Sequence, residues 1–349
     1  MAPIKVRIKI KEDWITVPGL EIDDNSVIVV RGGWIKTASL HHADWLEKEL
    51  ENPEECIRRL KRERKNGLSS DIFSFGQIPP ATQPKYAFPF ELESIACLGT
   101  ADFGKWWESL PQETRKNVRR SQKRGVTVSV CEMNDALIRG LVELNNDSPI
   151  RQGKPYTHYG KDFERVKEDQ SSFPGRSEFI AAYLGEELVG YMKLVYRGTT
   201  ASILHLLPKA SHQDKRPANA LIAKAVEVCS AKGVTHLVFG KFNYGNKGDN
   251  PLREFKVRNG FEEVMVPRFY VPLTLWGRFC VRTKLYRGIV GILPPNVLAW
   301  AVAVRTKWYS LTQARSRCSS TPERPNRNRQ MERSIPPAGS NPNPPVAES

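Results

Sequence analysis

His205 stands near the end of a β-branched and apolar run, residues 199–207, just before Pro208. An imidazole with an ordinary pKa near neutrality is suited to accept a proton at physiological pH. Beyond it, Lys209, His212, Asp214, Lys215 and Arg216 crowd a short loop that ends at Pro217. Their charges fall where the N-terminus of a following helix already favours an anion. A second cluster, Arg151, Gln152, Tyr156, His158 and Tyr159, lies among turn residues in the stretch 146–160. No helical or strand period accounts for so many hydrogen-bonding side chains, so this stretch reads as a ligand-binding loop. A third cluster is the helix expected over 111–125, where Arg115, Lys116, Arg119, Arg120, Lys123 and Arg124 face a single acid, Glu113. Spacings of three and four gather these cations on one wide face, with Val118 as the main apolar contact. Such a face can hold phosphates, each contact adding salt-dependent affinity.

The elements that must position these residues follow from the pattern of 177–267. Two apolar runs, 179–184 and 188–196, flank Gly185-Glu186-Glu187 and read as an antiparallel hairpin. The run 199–207 is a third strand, closed by Pro208, which cannot donate to a central ladder. Ala220, Ile222, Ala223 and Val226 then recur at helical spacing between Pro217 and Gly233. A buried strand is expected over 234–242, a helix opened by Asn250-Pro251 and closed by Gly260, and a last strand over 262–271. The order β-β-β-α-β-α-β sets His205 at a strand end and the basic loop at a helix start.

Within that order, Leu252-Arg253-Glu254-Phe255-Lys256-Val257-Arg258-Asn259-Gly260-Phe261 resembles the last helix of the GNAT superfamily of N-acyltransferases. The Phe255-Lys256 pair, and the upstream stretch from Arg115 through Arg119-Arg120-Ser121-Gln122-Lys123-Arg124-Gly125 to Val126, look like the Fem-type branch. That branch includes peptidoglycan aminoacyltransferases and related predicted acetyltransferases of bacterial surface-polymer loci. The resemblance covers roughly residues 100–275. It implies an α+β fold: a GNAT-like mixed, mainly antiparallel sheet flanked by helices, preceded by an N-terminal α/β region. It also implies an N-acyltransferase moving an acyl group, acetyl foremost, from acyl-CoA to an amine acceptor such as an amino sugar or surface-polymer precursor, by direct attack. Two alternatives stand beside it: a Fem-type enzyme that uses aminoacyl-tRNA, and a non-catalytic nucleic-acid or membrane-surface binding module. By position in the resembled fold, Arg151, Gln152, Tyr156, His158 and Tyr159 line the acceptor pocket. Tyr244 lies with Asn243 on the cleft side, where its hydroxyl could protonate a leaving group, with His205 as the proton acceptor. Lys256 is associated with the phosphate-bearing end of the donor. One departure matters. Acyl-CoA enzymes of this fold usually carry a glycine-rich loop between the third strand and the helix, so that backbone amides approach the pyrophosphate. Here the stretch from Leu207 to Pro217 has no glycine, and Lys209, Lys215, Arg216 and Asn219 would take over the donor's phosphates.

Composition sets the remaining expectations. Lys and Arg outnumber Asp and Glu by 53 to 38, a net charge of +15 over 349 residues, which favours anionic partners: tRNA, CoA phosphates or lipid headgroups. The six cysteines show no Cys-x-x-Cys spacing, so neither a disulfide framework nor a metal site is expected. The N-terminus lacks the apolar core of a signal peptide, and the expected location is cytoplasmic, peripheral at the inner membrane face. The expected organisation is an N-terminal α/β region over 1–100, read as a degenerate GNAT-like half, a GNAT-like catalytic domain over 101–275, a helical extension over 276–311 and a disordered tail over 312–349. Residues 285–309 carry a basic, tryptophan-bearing apolar run that suits an anionic membrane surface.

Overall fold

The computed structural model describes residues 3–10, 13–23, 26–47, 49–151, 154–243 and 251–288. Gln152, Tyr244 and the expectations for 289–349 lie outside the described residues.

The chain begins with two antiparallel strands, β1 (Ile4–Ile10) and β2 (Asp13–Asp23), followed by β3 (Ser26–Arg31) and β4 (Thr37–Leu40). Between β3 and β4 the chain turns at Gly32, whose φ of 104° only glycine adopts without strain. A 3₁₀ turn at Asp44–Leu46 precedes α1 (Pro53–Glu63), which starts there because Asn52 caps the Glu55 amide and Pro53 takes the first turn. Strand β5 (Ile72–Gly76) is buried at every position, and β6 (Phe90–Gly99) follows. Next come α2 (Phe103–Ser109), α3 (Gln112–Lys123), β7 (Val126–Cys131), α4 (Asp135–Asn146), the two-residue strands β8 (Ile150–Arg151) and β9 (Lys154–Pro155), and α5 (Phe163–Gln170). The expected β-β-β-α-β-α-β block is present as β10 (Ser177–Leu184), β11 (Glu187–Arg197), β12 (Thr200–Pro208), α6 (Pro217–Ala231), β13 (His236–Lys241), α7 (Pro251–Arg258) and β14 (Glu262–Pro272), with α8 (Leu275–Arg282) after it.

Twelve of these strands form one sheet in the order β1-β2-β3-β4-β5-β14-β6-β13-β12-β11-β10-β7. It is antiparallel except at two places, β4 beside β5 and β12 beside β13, each parallel pair being joined by a crossover helix, α1 or α6. The middle of the sheet is an exchange. Strand β6 follows β5 in sequence but pairs with β13, and β14 follows β13 but pairs with β5. A mixed, mainly antiparallel sheet flanked by helices is what the resemblance implied.

Helix α6 covers one face. Leu221, Ile222, Val226 and Cys229 are fully buried against Met192, Leu194, Ala201 and Leu237. Each such aliphatic side chain contributes about 1.5–3 kcal/mol on leaving water. Helices α4 and α5 cover the opposite face through Ile138, Leu141, Leu144 and Val166, meeting Phe179, Ala181 and Tyr191.

Candidate functional site

Strands β12 and β13 pair only through Thr200, Ala201 and Ser202, opposite His236, Leu237 and Val238, and then separate. Two irregularities sit just past that point. In β12 the register against β11 slips between Ile203 and His205, leaving Leu204 as the extra residue. In β13 the register against β6 slips between Val238 and Lys241, at Gly240 with φ of 57°. Bulges of this kind re-aim side chains. The first one moves His205 off the α6 side, where Ile203 lies, and onto the face shared with α5.

There His205 meets a polar network. Its Nδ1 lies 3.2 Å from the Tyr191 hydroxyl and 3.3 Å from Gln170 Oε1, while Gln170 Nε2 donates to the Tyr191 hydroxyl at 3.0 Å. Nε2 of His205 has no hydrogen-bond partner among the described residues. Burial, and then the neighbouring Lys193 and His158, lower the imidazole to about 4, so it is neutral at physiological pH and can accept a proton. Lys193 is opposite His205 in the ladder and fully buried. Its ammonium donates to the carbonyls of Gln170 at 2.5 Å and Ser172 at 2.7 Å, at the C-terminal end of α5 where a helix accumulates negative potential. Burial still lowers it to about 8. One residue before Gln170, Asp169 accepts from Lys161 at 2.7 Å and also binds Lys9 of β1, with His158 3.7 Å away. Burial raises its carboxyl, but the hydrogen bonds from His158, Lys161 and Lys9 outweigh that and hold it well below the usual carboxylate range.

A second buried lysine serves the other strand. Lys256 of α7, fully buried, donates to the carbonyls of Phe239 at 2.7 Å and Lys241 at 2.6 Å, within the bulged stretch of β13. Its ammonium also sits 4.6 Å from the Phe239 ring centre, and burial lowers it to about 8. The separation of β12 from β13 is thus bounded by two desolvated cations, each held by backbone carbonyls.

The loop from β12 to α6 is already occupied by the protein's own acids. Asp147, just after α4, accepts from the amides of Ala210 at 2.7 Å and Ser211 at 3.2 Å and from the Ser211 hydroxyl at 2.7 Å. Burial raises its carboxyl, but these bonds together with Lys209 outweigh burial and keep it ionised below its ordinary range. Lys209 and His212 both bind Glu187, at 2.5 and 3.1 Å, and Lys215 lies 3.5 Å from Asp214. Arg216 adopts the left-handed conformation ahead of Pro217, and Asn219 donates to Asn259 at 3.1 Å. A CoA pyrophosphate held by backbone amides does not fit this loop as folded, because a carboxylate has taken two of them.

The loop expected to bind the acceptor lies beside the network, but much of its chemistry is spent on its own shape. Arg151 donates to the carbonyls of Pro208 and Leu144 at 3.0 Å and lies over the Tyr156 ring, whose hydroxyl bonds Asn145 at 3.0 Å. His158 sits 3.0 Å from Lys161, and Tyr159 is exposed. The basic helix α3 runs along the outside of α6. Arg124 reaches Asp214 at 2.8 Å, tying α3 to the basic loop, and Arg115 pairs with Glu108. Lys116, Arg119 and Lys123 are exposed. Arg119 covers the Trp107 ring at 5.7 Å beside a groove of about 710 Å³ lined by Phe103, Trp107, Val118, Arg119, Lys224 and Glu227 among others.

Sequence reasoning missed Lys193, Gln170, Asp169, Lys161 and Asp147. Lys193 left a signal, a lone cation inside the run Leu188–Tyr196. The others left none, since Lys161, Asp169 and Gln170 fall in a stretch to which no element was assigned and Asp147 reads as an ordinary turn residue.

Residues 112–256 match the family model of an acetyltransferase (GNAT) domain. No curated protein matches the chain. Among solved structures, FemX is similar over 80% of this chain and 91% of its own, with a TM-score of 0.53 at 11% identity. The C-terminal domain of a lysylphosphatidylglycerol synthetase from Agrobacterium fabrum is similar over 75% and 86%, with a TM-score of 0.50 at 14% identity. At those identities the likeness is one of fold.

Proposed function

We propose that this chain, whose residues 112–256 match a GNAT acetyltransferase domain within a Fem-like fold, is an acyltransferase that moves an aminoacyl group from a polynucleotide ester of the tRNA type to an amine. The observation that carries this reading is Asp147 seated on the Ala210 and Ser211 amides, where an acyl-CoA enzyme would keep amides for pyrophosphate. A donor that is a long polyanion needs no such nest. Helix α3 offers exposed Lys116, Arg119 and Lys123, and the groove beside Trp107 and Phe103 suits a stacked base.

In the reaction, the neutral amine of the acceptor attacks the ester carbonyl between the ends of β12 and β13. The C–N bond forms, the carbonyl oxygen gains charge, and the bond to the ribose oxygen breaks. His205 Nε2 takes the proton from the attacking nitrogen and returns it to the leaving ribose hydroxyl, held in place by Tyr191 and Gln170. Lys193 and Lys256 contribute positive potential in a desolvated setting without touching the reacting atoms. The acceptor lies against the loop of Arg151, Tyr156, His158 and Tyr159, and fits an amine-bearing precursor of a surface polymer.

The same reading takes 1–100 as a degenerate GNAT-like half and 101–275 as the catalytic part. Support comes from a parallel crossover, β4-α1-β5, that repeats β12-α6-β13.

Two titrations at physiological salt test the donor. With tRNA, Arg119→Gln plus Arg120→Gln should weaken binding and lower the dependence on salt by about two phosphate contacts; an unchanged slope would sink the polynucleotide donor. With acetyl-CoA the wild type should show no saturable binding, and Asp147→Ala, which frees two amides, should gain it. Saturable binding by the wild type favours the second reading, acyl-CoA held by Lys215 and Arg216 at the start of α6.

A further inference from the structure

Helix α8 presents the wrong face to solvent for a helix packed on a soluble core. Its inward contacts are made by small residues. Gly277 lies so close to the Asp71 carbonyl that a Cβ there would come within 1.9 Å of the oxygen, and Cys280 is fully buried. Thr274 caps the helix at the Gly277 amide and also donates to Asp71, so the helix cannot roll to hide its other side. The bulky apolar residues therefore point outward: Leu275 is 81% exposed and Phe279 51%. Trp276 stacks on Phe279 at 5.5 Å and touches Trp34, which is itself 78% exposed at the tip of the turn between β3 and β4. Two segments far apart in sequence thus build one aromatic and aliphatic patch, with Trp276 Nε1 donating to the Trp34 carbonyl.

The charge around this patch is predominantly positive. Arg278 and Arg282 are exposed on α8, and Lys284 and Arg287 follow it. No Asp or Glu occurs between Glu263 and Glu323, nor between Asp24 and Asp44. The nearby Asp71 carboxylate is committed to the Lys36 amide and the Thr274 hydroxyl, while Glu91 is held by Arg287. Exposed Trp, Leu and Phe rimmed by Arg and Lys match the chemistry of an interface between acyl chains and anionic headgroups. A protein partner would equally accept the apolar area, but a rim of exposed Arg278 and Arg282, with the two nearby carboxylates already engaged, is complementary to a continuous sheet of negative charge. We propose that Trp34, Leu275, Trp276 and Phe279, with Arg278 and Arg282, dock this protein on an anionic lipid surface. No helix among the described residues is long and apolar enough to cross a membrane. This inference does not depend on which acyl donor the enzyme uses.

The test is co-sedimentation of the full chain with vesicles of phosphatidylcholine alone and of phosphatidylcholine mixed with phosphatidylglycerol. The wild type should partition to the anionic vesicles at least ten-fold more strongly than to the neutral ones, and raised salt should weaken it. Leu275→Glu with Phe279→Glu should lose at least ten-fold on the anionic vesicles with its thermal midpoint unchanged, since both side chains are exposed. As a second variant, Trp34→Ser should lose part of the binding and reduce quenching of tryptophan fluorescence by brominated lipid. The proposal is overturned if the wild type ignores anionic vesicles, as it would if the patch were covered by residues 289–349 or by a second copy. It is equally overturned if the double variant partitions like the wild type, which would place the contact elsewhere on the chain.

Discussion

The two parallel crossovers of this molecule share a plan and differ in what fills them. Both are entered through the same three residues. Thr37-Ala38-Ser39 pairs with Ile72-Phe73-Ser74, and Thr200-Ala201-Ser202 pairs with His236-Leu237-Val238. In each case a histidine follows shortly, His41 in the first and His205 in the second. Beside the first crossover the sheet is sealed by aromatic rings: Phe73, Phe75 and Phe269 are buried, with Tyr86 and Phe88 packed around them. His41 contacts His42, and the His42 ring lies against Phe173. Beside the second, the register slip at Leu204 turns His205 toward Tyr191, Gln170 and Lys193. Topology alone therefore does not make the candidate site. A bulge and a handful of buried polar side chains set it apart from the same strand pattern filled with rings.

That contrast can be broken experimentally, most sharply at the two histidines. His205→Ala should lower transfer about 10²–10⁴-fold, whereas His41→Ala should leave turnover of the folded enzyme unchanged. Equal losses from the two would mean that the halves are not functionally different. Next in size is Phe269→Ala, which should cost about 3–5 kcal/mol in denaturant unfolding, with turnover per folded molecule retained because the ring seals the other crossover. Loss of turnover without loss of stability would contradict the division.

The buried lysines should give a smaller effect. Lys193→Met and Lys256→Met each leave two buried carbonyls without their donor, an expected loss of about 1–3 kcal/mol, read from the denaturant midpoint at pH 7. Both ammonium groups fall from 10.5 to about 8 on folding, so between those values the unfolded chain binds more protons than the folded one. Wild-type stability should accordingly rise with pH across that window, and each methionine variant should flatten the rise. The smallest effect is that of His205, which falls from 6.5 to about 4. Again the unfolded chain holds more protons between these values, so stability drops as pH falls through them, and His205→Gln should remove that part of the acid slope.

Periodicity and breakers were enough for the second half. The hairpin around Gly185, the Pro217 helix and the strands on either side are where the pattern of 177–267 put them, because each is specified by neighbours within a few residues. The first half was less legible. There only an α/β region was expected, and β2 begins with Asp13, Trp14 and Ile15 exposed, so burial imposed little alternation to read. Among the candidate site residues, His205 and Lys256 were singled out by position and resemblance, and the loop of Arg151 by its composition. Their partners could not be, since Gln170, Asp169 and Asp147 act across distances in sequence that no local pattern encodes.

By itself, then, the sequence determined which segments become strand or helix, the cationic character of α3 and the glycine-free loop before α6, all properties of adjacent residues. Tertiary structure alone decided that β6 and β14 cross over to each other's neighbours, that one extra residue at Leu204 swings His205 to the α5 face, and that Asp147 sits on the Ala210 and Ser211 amides. These are matters of register and of long-range contact. A strand's partner depends on the other strands available to it, and a one-residue slip exchanges the two faces of a sheet without altering the composition of either strand.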